Sequence, residues 1–222
     1  KHVAEDLEIM NTFSKKVKQE KIVICIHSLN AGGAERQTVE LAIRLTKQGM
    51  RVIIYCFEEG NFFEKELLRN HIKTRVLMKI EKIYVPTFFL PYKIKKIFFL
   101  YHRLHFKLTR RFITFLAHDN PDVVYCFGLL AFQLSMIAAF ILKKKIIWAI
   151  RASIIDYSIY GWQKKYYLWL GAFCGRFTHV IISNSYAGKK AYVQKKFPEN
   201  KIVVIPNGFD IKKFKPSYIN GS

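Results

Sequence analysis

Three short stretches combine residue types that chemistry needs. In HSLNAGGAERQ (residues 27–37), Gly32 and Gly33 follow an apolar run and open a helix-like segment. Paired glycines let a backbone come close to a ligand, and a helix N-terminus offers N–H groups to an anion. Phosphate binding is the chemistry this turn suits, with Glu35 and Arg36 in the first helical turn. The same residues also read as a tight strand-to-helix turn, in which Glu35 merely complements the helix dipole. In WAIRASIIDYS (148–158), Arg151 stands directly after an apolar run. A guanidinium there can grip a carboxylate or a phosphate, a catalytic role if the anion is a leaving group. Asp156 is the only acidic residue between Asp122 and Glu199. It reads either as a base or sugar-hydroxyl ligand, or as an ion-pair partner or helix cap. In SNSYAGKK (183–190), Asn184 and Ser185 suit a helix N-cap, which does not exclude an anion at the same helix end. His27 ends the first apolar run; a lone histidine there more readily serves structure than chemistry.

Several chemistries lack their motifs. There is no GxGxxG, no Walker A loop, no GxSxG, no DxD pair and no zinc-ligand spacing. No cofactor and no metal are expected. Cys25, Cys56, Cys126 and Cys174 form no CxxC pair and read as buried free thiols. That usage suits a reducing compartment.

Positioning these groups falls to alternating elements. Apolar, β-branched runs at 21–27, 51–57, 73–77, 121–128, 144–150, 178–183 and 201–205 read as strands. Helical patterns lie at 34–48, 61–70, 129–142, 161–177 and 186–197, with Gly49 placed to end the first. Near-continuous apolar strands alternating with helices predict a parallel sheet covered on both faces. The fold class is therefore α/β, a doubly wound parallel sheet forming a single Rossmann-like domain over residues 21–205. Residues 1–20 read as an N-terminal extension whose first part is expected not to be native, and 206–222 as the start of a linker. Ligands of such sheets bind beyond the carboxyl ends of the strands. The segments to watch are 28–36, 58–62, 127–130, 151–157 and 184–187.

The formal net charge is +21, which calls for an anionic neighbour such as nucleic acid, anionic lipid or a phosphorylated substrate. No apolar run reaches the roughly 20 residues that span a bilayer, and no signal peptide is expected. Residues 82–118 contain no Asp or Glu and are rich in aromatics. Lys93, Lys95, Lys96, Arg103, Lys107, Arg110 and Arg111 are too many for a core and suit contact with an anionic membrane surface.

GGAER, PDVVYCFG, IRAS, ISNSYAGKK and VVIPNGFDIKKFKP occur in that order. Together they resemble the N-terminal half of a family 4 glycosyltransferase of the GT-B fold, from about Lys21 to Pro216. The resemblance implies one half of a two-domain enzyme, with PNGFD and the following F-x-P at the crossover into the second half. It implies sugar transfer from a nucleotide sugar to a glycan or lipid-linked acceptor in cell-surface polysaccharide, lipopolysaccharide or related synthesis. Retention of configuration and no bound metal are expected. Gly32 and Gly33, with Glu35 and Arg36, would lie beside donor phosphates and acceptor, Arg151 near the reacting groups, and Asn184 and Ser185 near the acceptor. The family's donor signature, two glutamates with seven residues between them, belongs to the second domain. Glu58 and Glu66 have this spacing but lack its context. The resemblance therefore implies an acceptor-binding half, inactive alone, working in the cytoplasm on the inner face of the membrane. A non-catalytic module that binds polyanions or membranes is the alternative, with nucleic acid the less expected partner.

Overall fold

The computed structural model describes residues 20–77, 106–150 and 162–208. The extension before residue 20, most of the basic aromatic segment, Arg151, Asp156 and the linker from residue 209 lie outside the described residues. Seven strands form one parallel sheet: β1 (Lys21–Ile26), β2 (Arg51–Cys56), β3 (Lys73–Val76), β4 (Val123–Phe127), β5 (Lys145–Ile150), β6 (Val180–Ser183) and β7 (Ile202–Val204). Their order in space is β3-β2-β1-β4-β5-β6-β7. The chain winds outward from β1 in one direction, returns, and winds outward from β4 in the other.

Helices cover both faces, which is why the strands read as unbroken apolar runs. On one face, Ile22, Ile24 and Ile26 of β1 meet Val39 and Ala42 of α1 (Gly33–Lys47) and Leu67 of α2 (Glu64–Arg69). On the other, Val23 and Cys25 meet α3, the helical stretch 106–119, through Leu108, Phe112 and Leu116. The same core takes in Phe132, Ala138 and Ala139 of α4 (Leu129–Ile141) and Leu168 and Ala172 of α5 (Trp162–Gly175). Tyr192 and Val193 of α6 (Tyr186–Gln194) pack against it.

Two details of packing anchor this face. Trp148 of β5 stacks flat on Phe132, with ring centroids 3.7 Å apart, and also meets the tilted ring of Phe197 at 5.3 Å. Its indole Nε1 is buried without a hydrogen-bond partner among the described residues, a cost of about 1–3 kcal/mol that this packing must offset. Phe197 also explains why α6 stops earlier than its sequence pattern suggests. The chain turns through Lys196, at φ 70°, so that Phe197 can enter the core instead of continuing the helix.

The second anchor is polar. Asp119, at the end of α3, is buried and accepts two hydrogen bonds from the Arg75 guanidinium and one from the Tyr55 hydroxyl, all at 2.6 Å. His118 Nδ1 lies 2.9 Å from the same carboxylate, and Lys21 Nζ donates to the Asp119 carbonyl. Burial by itself raises the pKa of this carboxyl. The bonds from Arg75, Tyr55 and His118 outweigh it and hold the group well below the usual carboxylate range. Burial and the bond to Asp119 push the Tyr55 phenol well above its ordinary value. The network ties β1, β2, β3 and α3 together at one edge of the sheet.

The four cysteines are free thiols, as expected, although Cys174 is only half-buried. Burial raises the Cys25 thiol strongly and pushes Cys56 up to about 12, so both stay protonated and unreactive near neutral pH.

Candidate functional site

β1 and β4 are neighbours, yet the chain leaves β1 towards α1 on one face and leaves β4 towards α4 on the other. A crevice opens between two connections that diverge in this way, beyond the strand ends. Two helix N-termini flank it. The N-cap of α1 is Gly32 and that of α4 is Gly128, and neither carries a side-chain cap. Gly128 has φ 82° and ψ 165°, a conformation that costs other residues strain, so glycine is the residue this turn requires. By contrast, α6 is conventionally capped: the Ser185 hydroxyl accepts from Gly188 N–H at 3.0 Å.

Gly32 and Gly33 are exposed, but the backbone does not itself demand them. Gly32 has ordinary extended dihedrals, and a methyl group at Gly33 would meet nothing within 4 Å. Their effect is to leave open space over the start of α1. A Cβ at Gly32 would instead collide with the Glu35 carboxylate, which folds back over the helix end. Glu35 thus stands where the dipole favours an anion. Arg36 is exposed on the same turn, and its N–H donates to the Gly32 carbonyl at 3.0 Å.

The turn is held rigidly from behind. The His27 carbonyl accepts from the N–H groups of Phe57 and Glu58, each at 2.9 Å. A Cβ at Gly60 would lie 2.7–2.8 Å from the backbone of Leu29 and Asn30, so the loop after β2 presses directly on the loop after β1. His27 Nε2 lies 3.4 Å from Glu58 Oε1, and both side chains are exposed at the sheet's carboxyl edge. Sequence reading left Gly60, Gly128 and this His27–Glu58 pair unnamed. Gly60 and Gly128 do fall inside the post-strand segments 58–62 and 127–130. Their particular roles depend on contacts between loops far apart in sequence.

The remaining candidates divide. Ser185 is the cap of α6 and Asn184 is half-buried beside it, two strands away from β4. β5 ends at Ile150, and Arg151 and Asp156 lie outside the described residues. Lys107, Arg110 and Arg111 are exposed on the outer side of α3, opposite Leu108, Phe112 and Leu116. Lys93, Lys95, Lys96 and Arg103 lie outside the described residues. Among the described residues, no group of acidic, histidine or cysteine side chains is placed to hold a metal ion. None of the described helices is long and apolar enough to cross a membrane. Beyond β7 the chain comes back to α1, where Gln37 Nε2 reaches the Gly208 carbonyl at 3.5 Å.

Seven parallel strands, helices on both faces and a glycine turn at the switch point define a Rossmann-like domain. Residues 31–213 match the sequence profile of Glycosyltransferase Family 4, and the chain belongs to that family. Among solved structures, it is similar to HepE of Anabaena in complex with UDP-glucose, with a TM-score of 0.66 and 21% identity, covering 89% of this chain and 46% of that one. A glycosyltransferase from Rickettsia africae gives a TM-score of 0.60 at 21% identity, over 91% of this chain and 47% of that one. Sucrose-phosphate synthase from Thermosynechococcus elongatus gives 0.64 at 15% identity, over 89% and 50%. At these identities the likeness is one of fold. The chain spans about half the length of each of these proteins, matching one half of a GT-B chain. No curated protein sequence matches it.

Proposed function

We propose that this chain is the N-terminal, acceptor-side domain of a glycosyltransferase that moves a sugar from a nucleotide-sugar donor to a glycan or lipid-linked acceptor. The observation that carries the reading is the pair of uncapped helix N-termini, at Gly32 and Gly128, on either side of the β1–β4 switch point. Such ends attract a diphosphate. The likeness in fold to a protein solved with UDP-glucose supports a nucleotide diphosphate as the anion. Gly32 and Gly33 leave room for the phosphates, and Arg36 adds positive charge at their side. Glu35 must swing off the helix end when they arrive. Arg151, immediately beyond β5, is the group we assign to neutralising charge on the leaving phosphate, with Asp156 and the Asn184–Ser185 turn nearer the acceptor. Catalysis then rests on positioning and on charge stabilisation. A second domain, reached through the linker that begins at residue 206, supplies the glutamate pair that grips the donor. The product is a cell-surface polysaccharide, lipopolysaccharide or related glycan, made on the inner face of the membrane with retention of configuration.

Radiolabelled UDP-glucose tests this directly. The 222-residue chain alone should leave it intact, and the same chain joined to its second domain should transfer label to a lipid-linked or glycan acceptor. In the joined enzyme Arg151→Ala should lower turnover by about a hundredfold. Transfer by the isolated chain, or full activity in the Arg151 variant, would refute the assignment. The net charge of +21 favours one other reading, a non-catalytic polyanion-binding module. That reading requires retention of RNA or DNA on filters, falling steeply with salt.

A further inference from the structure

The helical layer formed by α4 and α5 has an outer surface that nothing in the sugar-transfer reading uses. Both helices bury one stripe in the same core: Ala131, Phe132, Ala138 and Ala139 from α4, and Leu168 and Ala172 from α5. Their opposite stripes are also apolar. On α4 these residues are Ile137, Phe140 and Ile141, spaced as one helical face, with Phe140 77% exposed. On α5 and just after it they are Trp169, Phe173 and Phe177, each four residues on from the last. Their rings form a continuous row, with centroids 6.3 Å apart from Trp169 to Phe173 and 5.5 Å from Phe173 to Phe177. Trp169 is 64% exposed. Singly exposed apolar residues are ordinary, but two neighbouring helices with apolar outer stripes are not.

The charge around this surface selects its occupant. α4 has no charged residue, and neither helix has an acidic one. Exposed Lys143 and Lys145 follow α4, and exposed Arg176 sits between Phe173 and Phe177. An apolar face with aromatic side chains and a basic border matches the interfacial zone of an anionic bilayer, where rings enter the acyl boundary and cations meet headgroup phosphates. A second copy of this chain fits poorly, because each copy carries a net charge of +21 and the same basic border.

We propose that the outer face of α4 and α5 is a membrane-docking surface. It inserts Phe140, Trp169 and Phe173 into the interface of an anionic bilayer while Lys143, Lys145 and Arg176 pair with phosphate headgroups. This surface is distinct from the basic side of α3 and does not depend on the sugar-transfer reading. The docked α/β domain lies with its helical layer on the lipid and its strand ends turned to the side.

The test uses the full chain with vesicles of equal parts phosphatidylglycerol and phosphatidylcholine, against vesicles of phosphatidylcholine alone. The wild type should co-sediment with the anionic vesicles. Brominated acyl chains should quench its tryptophan fluorescence, and Trp169→Phe should remove most of that quenching. Phe140→Gln with Phe173→Gln should weaken binding at least tenfold, roughly the loss of two part-inserted rings. Both substitutions lie on the exposed stripe, so the circular dichroism spectrum and thermal midpoint should match the wild type and exclude misfolding. Three results would overturn the proposal: equal binding by the double glutamine variant, no quenching by brominated lipid, or wild-type chain that ignores anionic vesicles and instead dimerises through this face in sedimentation velocity.

Discussion

Asp119 shows how one buried carboxylate can govern a region of the fold. Its side chain is 6% exposed and that of Arg75 is 18% exposed, so the pair is poorly screened by water. Replacing the carboxylate by an amide removes the charge that Arg75 pairs with and turns one of the two acceptor oxygens into an NH2 donor facing the donors of Arg75 or Tyr55. Asp119→Asn should therefore lower stability by roughly 3 kcal/mol in urea denaturation at neutral pH. The pH dependence follows from the direction of the shift. The folded carboxyl titrates below its unfolded value, so its stabilisation is complete above about pH 4 and is lost as pH falls below that towards the folded pKa. The difference in stability between wild type and the Asn variant should shrink progressively below about pH 4. A gap that stays constant down to strongly acid pH would contradict the network.

Elements are set against one another by two loops that touch end-on. Gly60 has no room for a side chain because the backbone of Leu29 and Asn30 occupies it, and backbone cannot swing aside as a side chain can. Gly60→Ala should cost about 1–3 kcal/mol by overpacking, read as a lowered urea midpoint at unchanged slope. It should also displace the turn that carries Gly32, so under the proposed function donor turnover should fall further than stability alone explains. On the opposite side of the sheet, Phe132→Ala removes the ring stacked on Trp148 and should cost about 3–5 kcal/mol. Near-ultraviolet circular dichroism should report the altered indole environment.

As a whole molecule, the chain is one α/β layer system that matches one half of a GT-B chain. If the donor is gripped mainly by the other half, UDP-glucose has little differential affinity for the folded state of this chain alone. Millimolar UDP-glucose should then leave its thermal midpoint within about 1 °C, whereas binding well above the dissociation constant would raise it. A clear upward shift would place the main donor contacts within these residues. The net charge of +21 acts on this same scale, through long-range attraction to anionic surfaces.

Much of the architecture was legible in the residues themselves. A parallel sheet buried on both faces needs apolar strands without alternation, and IVICI, VIIYC and VVYCF state that requirement locally. The helix starts at Gly33 and Tyr186 and the stop at Gly49 were likewise readable, because caps and left-handed turns involve residues close in sequence. The glycine turn could be placed beyond the carboxyl ends of the strands, since every strand of such a sheet points that end the same way. What the chain order could not reveal is which distant groups meet. Gly60 against Leu29, Asp119 against Arg75 and Tyr55, and the shared outer face of α4 and α5 arise only once the sheet sets strand order and register. Burial and exposure belong to that packed arrangement. Phe132 and Phe140 are the same residue type eight positions apart on one apolar helix, and only the sheet beneath decides that one is core and the other faces outward.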